Sequence, residues 1–264
     1  MPTPSTARLH EFTVLANTQI ADGIFELKLL CPALAQSIRP GQFVNIAVPG
    51  NPSSILRIPL SYEGADAEGG SVTIWYAVVG EGTQRLSRMQ MMDTSTLVGP
   101  AGHGWNIPDG CGRALLVAGG IGVPPVLCLA RALAARGVPF DACVGAATAG
   151  KVVGAQELRA LGAGQVAVCT DDGSAGRHGF CTEPAAELLA AGGYGYVATC
   201  GPAPMMRKVA DAAAAAGAYC EASLERMMSC GFGACATCVV ETTEGGKGVC
   251  MAGPVFDASK VVGW

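Results

Sequence analysis

Four cysteines near the C-terminus carry the clearest chemical signal in the chain. The run Cys230-Gly231-Phe232-Gly233-Ala234-Cys235-Ala236-Thr237-Cys238 is followed by Cys250 after eleven intervening residues. This is Cys-x4-Cys-x2-Cys and a distant fourth Cys, the plant-type spacing for the thiolates of a [2Fe–2S] cluster. Two irons need four thiolates, and three of them arriving on one tight loop would wrap the cluster. Gly231 and Gly233 let such a loop curl close to the inorganic sulfides and take φ > 0 where needed. Backbone N–H groups aimed at the sulfides would tune the potential. A zinc site usually brings two short Cys-x2-Cys pairs, and this segment has one; core cysteines without a metal are the remaining alternative. Cys230, Cys235, Cys238 and Cys250 are the expected metal ligands. The other eight cysteines (31, 111, 128, 143, 169, 181, 200 and 220) are scattered and suit a core as small hydrophobes.

Two segments nearer the N-terminus present groups that could contact a flavin nucleotide. In Arg57-Ile58-Pro59-Leu60-Ser61 the arginine can pair with a pyrophosphate, and the Ser61 hydroxyl can reach a flavin ring. In Tyr76-Ala77-Val78-Val79-Gly80-Glu81-Gly82-Thr83, the glycines and Thr83 offer unhindered amides at the start of a helix, which is an anion site. Taken alone, the first segment also describes a loop and the second a helix cap.

A third and a fourth segment suit a nicotinamide dinucleotide. Gly119-Gly120-Ile121-Gly122-Val123-Pro124-Pro125 follows an apolar run and opens a predicted helix, the setting in which a pyrophosphate meets a helix N-terminus. It is not the Gly-x-Gly-x-x-Gly spacing, no ribose-binding acid follows from it, and a plain strand-to-helix turn fits as well. Thr199-Cys200-Gly201-Pro202 follows another apolar run; Cys200 and Gly201 can line a nicotinamide pocket or form a turn. Asp171-Asp172-Gly173-Ser174 faces the adenosine side or is a polar loop. The histidines His10, His103 and His178 are dispersed without a nucleophile partner, which gives hydrolase chemistry no support.

The elements that must position these groups change in texture along the chain. Residues 8–108 read as short strands with Gly and Pro punctuation: 12–15, 24–29, 43–48 and 71–79. That pattern suggests a small antiparallel barrel, interrupted by one helix over 83–89. From 113 the chain alternates apolar runs (113–118, 140–146, 166–170, 196–199) with helical segments (126–136, 155–161, 183–191, 205–216). Alternation of this kind predicts a parallel α/β sheet covered by helices. Expected boundaries are 1–109 for the barrel domain, 110–222 for the nucleotide-binding domain and 223–264 for the cluster domain.

Bulk properties agree and exclude other classes. Only 14% of the 264 residues are charged and 50% are hydrophobic, so a large core is available. The net charge is −4, without basic runs, so no nucleic-acid partner is expected. The longest apolar stretch, 114–130, is broken by Gly119, Gly120, Gly122, Pro124 and Pro125, unlike the roughly 20 unbroken apolar residues of a membrane helix. Residues 1–6 lack a charged-then-apolar leader, so the expectation is a soluble cytoplasmic protein.

The order of the motifs resembles one family. Arg…Ser in a barrel, Gly-x-Gly-Thr, Gly-Gly-x-Gly-x-Pro, Cys-Gly-Pro and the cysteine run resemble the electron-transfer subunit of class 1B dihydroorotate dehydrogenase, in the ferredoxin–NADP reductase superfamily. The resemblance runs from about Glu11 to Lys260. It is sharpest at residues 78–83, 99–105, 223–227 and 253–257.

This resemblance implies an FAD-binding barrel, an NAD-binding domain and a C-terminal [2Fe–2S] domain. It places FAD contacts at Pro59, Leu60, Ser61, Trp75, Tyr76, Ala77, Gly82 and Thr83. NAD(H) contacts fall at Gly119, Gly120, Gly122, Pro124, Cys200, Gly201 and Pro202. The cluster falls at the four cysteines named above. The implied partner is an FMN-containing dihydroorotate dehydrogenase catalytic subunit of pyrimidine biosynthesis, in a heterotetramer of two copies of each. At one position the chain departs: the family usually has Arg directly before the Pro, where this chain has Ile58 preceded by Arg57. Arg-Ile-Pro-Leu is similar to the small subunit of NADH-dependent ferredoxin:NADP oxidoreductase, a bifurcating enzyme. An electron-bifurcating partner is therefore the alternative.

Overall fold

The structure, a computed structural model, describes residues 7–51, 56–262 and 264. Residues 1–6, whose composition bears on a leader, lie outside the described residues.

The N-terminal unit is one antiparallel sheet rolled into a half-barrel. Its strands are β1 (Arg8–Ala21), β2 (Ile24–Leu30), β3 (Phe43–Ile46), β4 (Ile58–Ser61), β5 (Gly64–Asp66), β6 (Ser71–Ala77) and β7 (Thr94–Ala101), in the spatial order β4-β3-β7-β1-β2-β6-β5. Two short helices, α1 (Pro32–Ala35) and α2 (Glu81–Leu86), close its ends. Val14, Leu27, Leu29, Ile46, Ile74 and Leu97 fill the interior with no exposed surface. Alternation along β2 and β6 puts these residues on one face. The strand expected over 12–15 runs the full length of β1, its polar positions Asn17, Thr18 and Gln19 pairing with β2. Strand β7 hides behind Gly99 and Pro100, which read as breakers, yet Gly99 pairs with Arg8 of β1 and Ala101 beyond them with Phe43 of β3. Helix α2 begins at Glu81 with Gly80 as its N-cap, two residues before the expected start, and ends at Leu86.

The second unit is a parallel sheet of β8 (Ala114–Gly119), β9 (Phe140–Ala146), β10 (Val166–Thr170), β11 (Arg177–His178), β12 (Tyr196–Cys200) and β13 (Tyr219–Ser223). Helices α3 (Val123–Ala135) and α4 (Ala155–Ala160) pack on one face, and α5 (Thr182–Ala191) and α6 (Ala203–Ala215) on the other. The order β11-β10-β9-β8-β12-β13 reverses at β8, so the carboxyl ends of β8, β9 and β12 open a crevice at the switch point. Helix α3 starts at Val123 rather than 126, because Pro124 and Pro125 fit a first turn whose N–H groups have no helical partner anyway.

The last segment is an irregular loop over 224–238, the hairpin β14 (Val239–Thr242) and β15 (Gly245–Gly248), helix α7 (Val249–Ala252) and β16 (Val255–Asp257). Strand β16 pairs antiparallel with β13, so this segment extends the second unit's sheet. It also touches the barrel: the His103 amide donates to the Gly253 carbonyl at 2.6 Å. Among the described residues, no helix is long and apolar enough to cross a membrane.

Candidate functional site

All three segments meet at one cleft of about 350 Å³. The barrel supplies Phe43, Pro59, Leu60, Ser61, Trp75, Tyr76, Ala77 and Thr83; the sheet domain supplies Ile121, Pro124, Pro125, Cys200 and Ser223; the C-terminal segment supplies residues 224–226, Met228 and Pro254. The walls are mostly apolar with few polar groups, the usual make-up of a cofactor site. Each barrel group is held from behind. The Tyr76 hydroxyl donates to Asn17 Oδ1 at 3.0 Å, and its ring stacks on Phe25. Trp75 Nε1 donates to Glu26 Oε2 at 2.8 Å. Thr83 Oγ1 accepts from the amides of Val79 and Gly80 at 3.0 and 3.2 Å, so this hydroxyl caps its own helix. Gly82 lies outside the cleft wall and packs against Ile58.

Arg57 stands apart from these groups. Its guanidinium donates to the carbonyl and hydroxyl of Thr96 at 3.1–3.2 Å and lines a separate polar hollow with Gly50, Asn51 and Asp93.

The switch-point crevice divides the remaining residues. Gly119, Gly120 and Pro202 line a second pocket of about 390 Å³ with Asp171, Phe180, Cys181, Met205 and Lys208. Gly122 is buried against β12: a β-carbon there would stand 2.3 Å from the Cys200 carbonyl oxygen. Gly201 packs on Gly119. Pro124 and Pro125 line the first cleft and carry no N–H, so the α3 N-terminus offers an anion two fewer donors. Burial pushes the Cys200 thiol up, which keeps it protonated at the sheet-domain wall of the cleft.

The four C-terminal cysteines lie against the same region. Cys230 and exposed Cys235 share the loop, while Cys238 and Cys250 are buried in one core with Phe43. Backbone amides already aim at sulfur: Ala234 N donates to Cys230 Sγ at 3.2 Å and Cys250 N to Cys238 Sγ at 3.4 Å. The Thr237 hydroxyl and neighbouring amides lower the Cys235 thiol to about 6, whereas burial raises Cys250 to about 12. Gly231 and Gly233 sit at φ +74° and +91°. Among the described residues, no three His, Cys, Asp or Glu side chains are gathered tightly enough to hold a single metal ion. An all-thiol donor set on a positive-φ loop with amides directed at sulfur fits an iron–sulfur cluster.

Comparison with known proteins decides between the families that this geometry allows. Residues 225–262 match the model of the iron-sulfur cluster binding domain of dihydroorotate dehydrogenase B. The electron transfer subunit of dihydroorotate dehydrogenase B (NAD(+)) from Geobacillus thermodenitrificans is 40% identical over 256 residues, covering 95% of this chain and 97% of that one. The same subunit from Streptococcus thermophilus is 38% identical over 260 residues, covering 96% and 98%. The chain belongs to the dihydroorotate dehydrogenase B electron transfer subunit family. Among solved structures, an NADH-dependent reduced ferredoxin–NADP oxidoreductase described in work on flavin-based electron bifurcation superposes with a TM-score of 0.86 at 29% identity. That match covers 95% of this chain and 89% of the other. In this chain the half-barrel and the parallel sheet precede the matched iron-sulfur binding domain at the C-terminus.

The structure adds cleft residues that motif reading missed. Phe43, Ile121, Glu225 and Arg226 face the cleft. Phe43 reads as an ordinary strand residue, and Glu225 and Arg226 only as lead-in to Cys230. The signal available for the latter pair was two charges placed inside an otherwise apolar, cysteine-rich segment.

Proposed function

We propose that this chain passes electrons between NAD(H), FAD and a [2Fe–2S] cluster on behalf of a partner subunit that oxidises dihydroorotate. The observation that carries the reading is the single cleft where barrel, sheet domain and cysteine segment converge. Pro59, Leu60, Ser61, Trp75, Tyr76, Ala77 and Thr83 would wall the flavin, with Gly82 shaping the turn behind it. Gly119, Gly120 and Pro202 would hold the dinucleotide, while Gly122, Pro124, Cys200 and Gly201 set the nicotinamide end. Cys230, Cys235, Cys238 and Cys250 would hold the cluster. The separate placement of Arg57 supports a role in bracing β4 against β7, with an outlying phosphate its only route to the cofactor.

When the groups are bound, the chemistry supplied there is exchange of a hydride between nicotinamide and flavin and of single electrons between flavin and cluster. The chain's part is geometric. Pro124 and Pro125 exclude water from the cleft, and the protonated Cys200 thiol adds no charge beside the nicotinamide. The Tyr76–Asn17 and Trp75–Glu26 bonds fix the barrel wall. The partner in this reading is an FMN-containing dihydroorotate dehydrogenase catalytic subunit, two copies of each chain forming the complex.

Anaerobic reduction tests it. Dihydroorotate should bleach flavin and cluster absorbance only when the catalytic subunit is present, and NAD should then be reduced. Bleaching by NADH with no response to dihydroorotate in any complex would reject the partner. The second reading, a small subunit of an electron-bifurcating oxidoreductase, is favoured by the 0.86 TM-score to such a structure and by Arg57-Ile58-Pro59-Leu60.

A further inference from the structure

We propose that the side-chain amide of Asn45 is a hydrogen-bond donor to sulfur at the cluster site, so that the strand behind the flavin cleft also tunes the cluster's potential. The inference rests on the cluster-binding reading above.

Asn45 sits in the middle of β3, where every residue is buried. Alternation along the strand sends Val44 and Ile46 into the barrel core. It sends Phe43 and Asn45 to the other face, where Phe43 packs in one cluster with Cys238 and Cys250. Asn45 is 2% exposed, and its Nδ2 has no hydrogen-bond partner among the described residues. A buried amide N–H without an acceptor is costly, and such groups in native proteins commonly mark a missing ligand or ion.

The neighbour of that amide is Gly231. A β-carbon on Gly231 would stand 2.4 Å from Asn45 Nδ2, so the amide lies flat against the glycine backbone. Gly231 is buried, has φ +74°, and directly follows Cys230 in the chain. The absent side chain at 231 is what lets a barrel strand approach the cysteine loop. Cys230 is bonded directly to Gly231, so its thiolate, with any sulfide held beside it, is the sulfur acceptor this loop would bring to the unpaired amide. An N–H donated to either stabilises the more negative, reduced cluster and raises its potential.

Position in the sheet gives this contact its consequence. Asn45 pairs with Pro59, and Phe43 with Ser61; Pro59 and Ser61 wall the flavin cleft. One two-stranded ribbon thus faces the flavin with β4 and the cysteine loop with β3.

The test uses the full chain, purified anaerobically, with Asn45→Leu and Asn45→Asp beside the wild type. Leucine keeps the branched shape without the donor; aspartate keeps the shape and turns an acceptor toward sulfur. Iron, sulfide and flavin content are measured first, then the midpoint potential and electron paramagnetic resonance of the reduced cluster. A more negative midpoint in both variants, larger for Asn45→Asp, with an altered resonance and wild-type flavin content, is the expected result. A wild-type potential and resonance in cluster-loaded Asn45→Leu and Asn45→Asp would overturn the inference and leave the proposed function standing. Should Asn45→Leu not fold, Asn45→Asp alone decides, by the same two readouts. A wild-type chain that takes up no iron and sulfide would overturn both.

Discussion

Gly122 and Cys200 touch through their backbones: the carbonyl oxygen of Cys200 lies only 2.3 Å from where a β-carbon on Gly122 would stand. The contact locks the turn after β8 to the end of β12, the two strands that flank the switch point. It explains why the glycine motif and the Cys-Gly-Pro motif, some 80 residues apart in sequence, act as one structure. Gly122→Ala must push these strand ends apart. Overpacking of this kind costs about 1–3 kcal/mol. Thermal unfolding should show that loss, and NADH-driven reduction of an artificial acceptor should fall while flavin content is kept. Wild-type turnover in a folded Gly122→Ala protein would show that the contact does not set the nicotinamide end.

The cysteine segment should be separable from the flavin chemistry. Cys250 is buried at the start of α7, and its amide donates to Cys238 Sγ. Cys250→Ser keeps the backbone contact and removes one thiolate. The expected outcome is loss of the visible cluster absorbance and of bound iron, with flavin content and NADH-to-dye activity retained. Coupling to the partner subunit should disappear. Retention of the cluster absorbance in this variant and in Cys250→Ala, whose side chain offers iron no donor atom, would remove Cys250 from the ligand set.

An ion pair fastens the barrel to helix α3. Glu63, next to β4, pairs with Arg131, and the carboxylate is buried while the guanidinium is half exposed. Burial raises the Glu63 carboxyl despite the arginine beside it. Arg131→Ala leaves that carboxylate buried and unpaired. Because solvent already screens the arginine, the expected cost is about 1–3 kcal/mol. Chemical denaturation at neutral pH measures it. An unchanged midpoint would mean that water replaces the guanidinium without loss.

Much of this architecture was legible in the residues, and the parts that were not share a cause. The apolar runs at β9 and β10 have the bounds expected, since parallel strands between helices are apolar at most positions, the buried Asp141 excepted. The cysteine segment stood out by its spacing alone. Strands β4, β5, β7 and β13 did not stand out, because they are short or carry Pro, Gly and polar residues whose pairing is settled by neighbours far along the chain. Strand β16 joins the sheet of the second unit from beyond the cysteine loop, a long-range pairing that no local pattern encodes. The same holds for the site: Ser61, Tyr76 and Cys200 were readable as chemistry, but the approach of Asn45 to Gly231 depends on how barrel and loop pack. The side-chain direction of Arg57, toward Thr96, likewise follows from β4–β7 proximity and not from the local sequence.

Glu221 gives a pH-dependent prediction. Its carboxylate accepts from the Asn106 amide at 3.0 Å, the Tyr196 hydroxyl at 2.7 Å and the Tyr219 hydroxyl at 3.2 Å. It thereby ties the segment after the barrel to β12 and β13. Burial raises its carboxyl above the ordinary value of 4.5, and the three donors only partly oppose this. A carboxyl raised in the folded state binds its proton more tightly there than in the unfolded chain. Its contribution is therefore fully present below the unfolded value and is lost as pH rises through the folded one. Glu221→Gln removes that titration and weakens one acceptor position, at a cost of roughly 1–2 kcal/mol near pH 5. Near pH 8 the cost should be smaller, because the wild type there carries a buried charge that glutamine does not. Thermal midpoints of both proteins at the two pH values check this. A gap between wild type and Glu221→Gln that widens toward pH 8 would mean that the three donors outweigh burial and the folded carboxyl is lowered.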